Sequence, residues 1–248
     1  QVLDPMVVTT GDIDNDGDAD LWFSQYKLPY VKGQMPSPIY DSNDGFPGYL
    51  LINDGSGNLS DRTKAAGLEA KRYRRSYSAS FADLDNDHDL DLVVISDFSG
   101  ADLHLNDGLG NFEDATMKLI DNHYGFGMAH NFGDYDANGK MDLIMIGMNS
   151  WTAERLLSMT LAPPTHRHYY DKLDDLTFGN RLYFGNDKNF EQIRELLSSR
   201  PRPVETGCVV KISLTKLFGR SYVNPTSTSI YGIVGKRGLL PFHNSCIL

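Results

Sequence analysis

The chain has 248 residues, 40% hydrophobic and 23% charged, with a formal net charge of −10. That length holds one large β domain or two small ones with an ample core, and the acidic balance argues against nucleic acid as a partner, because phosphate binding needs a basic surface. No apolar run approaches the ~18 residues of a membrane-spanning helix, so membrane insertion is not expected.

In chain order, residues 6–10 read as a strand entering an acidic turn and residues 21–26 as the strand leaving it. Residues 27–47, rich in Pro, Gly and Asp, read as an insertion loop. Residues 49–52 form a third strand, Asn53-Asp54-Gly55 a hairpin turn, and residues 58–62 a fourth strand. The order then repeats. Residues 77–81 and 90–96 flank a second acidic turn, with strands at 101–105 and 111–114 around Asn106-Asp107-Gly108. Residues 128–133 and 142–148 flank a third, with strands at 181–184 and 189–191. Four strands per unit of roughly 40–70 residues is a propeller-blade pattern. The fold class expected is therefore all-β: four-stranded antiparallel β-propeller blades, three in number, at about 5–68, 76–118 and 127–195 within a repeat region 1–195, as part of a propeller.

The turns carry the chemistry. The first offers Asp12, Asp14, Asp16, Asp18 and Asp20; the second Asp83, Asp85, Asp87, Asp89 and Asp91; the third Asp134, Asp136, Asn138, Lys140 and Asp142. Each fits D-x-D-x-[DN]-x-x-x-D, and an apolar run follows each one. Alternate carboxylates in a tight turn can point inward together and suit Ca²⁺, a hard cation taking six to eight oxygens. Up to three calcium ions are expected, one per turn, with Asp18 supplying its backbone carbonyl in the first. Without a cation such crowded acids repel. The alternative is a set of solvated acidic turns with no ion, and three in register weigh against it. An EF-hand is excluded: its twelfth position needs a bidentate Glu between helices, and Phe23, Val94 and Met145 stand there between β-rich flanks.

The turns differ. His88 stands where Gly17 gives the first turn its freedom, so strain is expected there. Asn138 and Lys140 make the third turn the least negative and the weakest expected binder. The basic run Lys71-Arg72-Tyr73-Arg74-Arg75 reads as a solvated link between blades, with an anion or partner contact as the sharper alternative. Asn58-Leu59-Ser60 is a glycosylation sequon. The insertion at 149–178 contains a weakly helical stretch, 151–161, and the group His166, Arg167, His168 and Tyr169. It reads as a polar, aromatic surface loop, with a transition-metal pair as the alternative.

Residues 196–248 diverge. From residue 201 they hold one acid, Glu205, against six bases, leaving −15 for residues 1–200. Strands are expected at 209–214, 229–234 and 239–242, in a degenerate blade, a cap or foreign sequence. Cys208 and Cys246, the only cysteines, can form one bridge or remain two thiols. A start at Gln1 rather than Met suggests a processed or fragmentary N-terminus, so the lack of a signal segment does not argue for the cytosol.

The stretches Phe81-Ala82-Asp83-Leu84-Asp85-Asn86-Asp87, Leu103 through Asp114, and Thr63-Lys64-Ala65-Ala66-Gly67-Leu68 resemble the FG-GAP/VCBS repeats of integrin-like β-propellers, closest to the cartilage-acidic-protein-like (ASPIC/UnbV-associated) family. The resemblance spans roughly residues 5–195. It implies a calcium-dependent propeller, extracellular, cell-surface or periplasmic, used in adhesion or in binding a protein or carbohydrate ligand; it carries over no catalytic residue. Such propellers usually close with about seven blades, so further blades from missing sequence or another chain are expected. The alternatives are a calcium-dependent polysaccharide-active enzyme on the same scaffold, with candidates in the 149–178 insertion, and a fragment without independent function.

Overall fold

A computed structural model describes residues 2–28, 40–148, 172, 175–176 and 179–192, and the backbone of strand segments 208–212, 230–235 and 238–239. The 151–161 and 166–169 features of the long insertion, and Cys246, lie outside the described residues. Among the described residues no helix is long and apolar enough to cross a membrane.

The chain forms three four-stranded antiparallel meanders. The first is β1 (Pro5–Gly11), β2 (Asp20–Gln25), β3 (Tyr49–Asn53) and β4 (Leu59–Asp61). The second is β5 (Arg75–Ala82), β6 (Asp91–Asp97), β7 (Gly100–Asn106) and β8 (Phe112–Asp114), followed by the short helix α1 (Thr116–Leu119). The third is β9 (Gly127–Gly133), β10 (Asp142–Gly147), β11 (Arg181–Gly185) and β12 (Phe190–Gln192). Strands β13 (Cys208–Ile212), β14 (Ile230–Gly235) and β15 (Gly238–Leu239) make a separate three-stranded sheet in the divergent tail. β1 runs beside β5, and β5 beside β9, so the first strands of the blades gather along one axis. Each of these strands breaks its ladder at the same place: Met6, Tyr77 and Met128 are skipped in the pairing with the second strand.

Side-chain alternation turns the sheets into stacked layers. Every residue of β6 is buried. Leu92 and Val94 join Ile13, Trp22 and Leu50 of blade 1 and Phe112 of β8 in one core. Val93 and Ile95 point the other way and join Leu143, Met145, Tyr183 and Phe190 of blade 3 in a second. Each fully buried aliphatic side chain contributes about 1.5–3 kcal/mol, so each interface is held by an apolar layer several side chains deep. Blade 3 continues the pattern on its far side with Ile144, Leu182, Tyr135 and Phe184. The outer face of blade 1 is different. Val8 is 59% exposed there, and Leu59, at the place Phe112 occupies in blade 2, is 47% exposed against 6% for Phe112.

The basic run is not a solvated link. Lys71 reaches Asp102 at 2.7 Å and Asp114 at 2.8 Å, and Arg74 grips Asp102 at 2.7 Å and Asp41 at 2.7 Å. Arg75 pairs with Asp44 at 2.9 Å, while Arg72 lies over the Tyr49 ring and pairs with Glu69. Glu69 apart, the acids recruiting these bases come from β7, β8 and the first insertion, so the connection between blades is pinned inward. The sequon Asn58 donates to Asp54 within the exposed β3–β4 hairpin.

Candidate metal centre

Each acidic turn joins the first strand of a blade to the second, and the backbone itself sets the carboxylates. The first acid caps the turn: Asp12 accepts from the N–H of Asp16 and Gly17, both at 3.1 Å, and Asp134 from Asn138 and Gly139 at 3.0 and 2.9 Å. Asp83 accepts from Asn86 and His88. The last acid is anchored twice. Asp20 accepts from Ile13 N–H and from Asn53 N–H on β3. Asp91 does the same with Leu84 and Asn106, and Asp142 with Tyr135 and Gly185. Those last acids are fully buried. The turns are tight enough to force positive φ at Asn15, Asn86 and Ala137, and again at Gly17, His88 and Gly139. His88 carries φ of 77°, the strain expected of a side chain at the glycine position.

Within each turn three acids converge: Asp12, Asp14 and Asp20; Asp83, Asp85 and Asp91; Asp134, Asp136 and Asp142. One ligand oxygen from each lies within 4.8 Å of the others. Oxygens 2.3–2.6 Å from a common calcium stand at most about 5 Å apart, so the trios fit such an ion. Asp14 Oδ1 is buried and accepts no hydrogen bond, as an oxygen reserved for a cation would be. These trios can hold a metal ion.

The remaining named residues lie outside the converging trios, although Asn138 donates its side-chain amide to Asp136 at 3.2 Å. Asp16, Asp87 and Asn138 turn back to accept the N–H two residues on, at 3.0, 2.9 and 2.6 Å. Asp18 and Asp89 lean against Gly55 and Gly108 in the neighbouring hairpins, where any Cβ would collide with their carboxylates. Lys140 occupies the equivalent place in blade 3 and pairs with Asp187 at 2.7 Å.

The electrostatics are those of crowded, buried acids. Burial, then its acidic neighbours, raises the Asp14 pKa, and burial followed by Asp87 raises that of Asp85. Burial pushes Asp91 up to about 7 against two backbone hydrogen bonds that lower it, with Asp85 and Asp87 adding to the rise. A bound dication would favour the ionised forms.

Sequence reasoning missed the bonds that lock turn to turn and blade to blade. Asn15 reaches across to Asp89 at 3.0 Å and to Gly108 O at 3.1 Å, and Asn106 donates to Ile13 O at 2.7 Å. Thr63 and Thr116 are fully buried; each accepts from a third-strand N–H, Leu50 and Leu103, and donates to the acid two residues earlier. The signal was an Asp-x-Thr spacing at 61–63 and 114–116.

Meander blades stacked face to face, each with a carboxylate trio at its first turn, define a repeat protein of the propeller class. Residues 83–145 match the model of the FG-GAP-like repeat, from the first acid of the second turn into β10. A comparison with curated proteins finds no match to the chain.

Proposed function

We propose that this chain is a calcium-stabilised propeller module of the cartilage-acidic-protein-like type, acting outside the cytosol in adhesion or ligand binding. The carrying observation is the three-fold recurrence of a carboxylate trio with matching backbone anchoring. Asp12, Asp14 and Asp20, with their counterparts in blades 2 and 3, would hold Ca²⁺, which supplies positive charge that lets three acids share one turn. Extracellular modules bind calcium at roughly 10⁻⁴–10⁻³ M, and turns of this kind stay filled where calcium is abundant. The insertions after β2 and β10 leave the blades at the end opposite the acidic turns, a placement that suits contact with a protein or carbohydrate ligand. Another blade of the same type would cover Val8, Phe23 and Leu59 on the outer face of blade 1, as blade 1 covers Leu92, Val94 and Phe112.

Isothermal titration with calcium tests the metal reading. Up to three sites are expected, and Asp14→Asn or Asp85→Asn should each remove one. Absence of calcium heat in folded protein would overturn it.

A further inference from the structure

The inner strands carry a second arrangement that the calcium reading does not use. Cross-strand partners share a face of a sheet. Ser80 pairs with Val93, and His130 with Met145, so both side chains turn into the interface between blades 2 and 3 at its axial edge. There Ser80 Oγ lies 2.6 Å from His130 Nε2. Both residues line an open groove of about 510 Å³ bounded by β5, β9 and Met141. The pair breaks the repeat: between blades 1 and 2 the same two places are held by Thr9, opposite Trp22, and Ala79, opposite Val94. A local departure from an otherwise kept pattern is where function is expected.

We propose that Ser80 is a nucleophile served by His130 as its base, and that the open axial groove accepts activated acyl donors such as aryl esters and thioesters. A hydroxyl within hydrogen-bond reach of an imidazole is the first half of an activated-nucleophile arrangement, the orienting third group being absent among the described residues. Burial pulls the His130 pKa down to about 4, so the ring is neutral at pH 7 but a weak proton acceptor. Its Nδ1 is buried and has no hydrogen-bond partner among the described residues. With no carboxylate to stabilise the imidazolium, the base is weak, which restricts chemistry to good leaving groups and excludes peptides. In the step, Oγ attacks the carbonyl carbon while its proton passes to Nε2. The tetrahedral adduct collapses, and the leaving aryloxide or thiolate takes that proton. Water then hydrolyses the acyl-serine through the same base. β5 and β9 are edge strands of their sheets, so alternate backbone N–H groups face the axis and are available to the oxyanion.

The test treats the full calcium-loaded chain with a fluorophosphonate probe at pH 7.5 and locates the adduct by mass spectrometry, which needs no variant. A single adduct on Ser80 is expected. Ser80→Ala should abolish it, and His130→Gln should slow labelling at least tenfold at an unchanged melting midpoint. Hydrolysis of p-nitrophenyl acetate should fall to the buffer rate in the Ser80→Ala protein. No adduct on Ser80, labelling undiminished in His130→Gln, or ester turnover that persists in Ser80→Ala would overturn the assignment.

Discussion

Lys140 Nζ stands 2.7 Å from Asp187 Oδ1, where blades 1 and 2 set Asp18 and Asp89 against glycines 55 and 108. The charge at this position is reversed in blade 3, and the partner hairpin changes with it. The third turn is therefore one cation richer beside its trio, while the trio Asp134, Asp136 and Asp142 keeps the geometry of the other two.

Reversing that exchange should tune the third turn. The double change Lys140→Asp with Asp187→Gly should tighten calcium there by on the order of tenfold, the value of a unit charge a few ångströms from a dication in high dielectric. Calorimetric titration reads this directly, and the first two turns should not change.

The second turn holds strain that one substitution removes. His88 has φ of 77°, and its side chain is exposed. Its N–H bond to Asp83 survives in glycine. His88→Gly should stabilise the protein by about 1 kcal/mol, raising the melting midpoint by roughly 2–4 °C.

The network behind the basic run should be costly to break. Asp102 is fully buried between Lys71 and Arg74. Burial works against its ionised form, but those two cations outweigh it and hold the carboxyl well below the usual range. Asp102→Ala leaves two buried cations short of a partner and should cost about 3–5 kcal/mol in urea unfolding. Because the folded pKa is depressed, this contribution is full above about pH 4 and is lost progressively as the pH falls below that toward the folded pKa.

Asp97 should act with the opposite sign. Burial raises its pKa to about 6, with the Tyr26 hydroxyl at 2.9 Å offsetting part of the rise. The folded protein holds that proton longer than the unfolded chain, so stability falls as pH rises from about 4 to 6, by on the order of 2 kcal/mol. Asp97→Asn should flatten the slope in melts across that window.

Phe112 and Leu59 compare a covered blade face with an open one. Phe112→Ala should cost about 3–5 kcal/mol. Leu59→Ala should change stability by less than about 0.5 kcal/mol in this chain. Equal effects in chemical denaturation would mean that the outer face of blade 1 is packed.

The strands were legible in the sequence because turn residues and apolar runs alternate at one spacing, down to β13, β14 and β15 in the divergent tail. The trios were legible in part. The alternating acids pointed to the turns, but the pattern treats Asp16 and Asp20 alike. Only the fold separates an acid that caps the next N–H from one fixed by β3. The basic run was misread because its partners, Asp41, Asp44 and Asp102, lie about 30 residues away in the chain. Ser80 and His130 are 50 residues apart and meet only because blades stack.

The most direct measurement of the central claim is a thermal melt of the chain in excess EDTA and in millimolar Ca²⁺, with Mg²⁺ as control. An ion held only by the folded state must raise the midpoint, by about 2.7 kcal/mol of stability per site at a hundredfold excess over its dissociation constant. A large calcium-specific rise, reduced stepwise by Asp14→Asn and Asp85→Asn, is the predicted result. Identical midpoints in EDTA and calcium would contradict the account and leave the trios as acidic turns held by backbone hydrogen bonds alone.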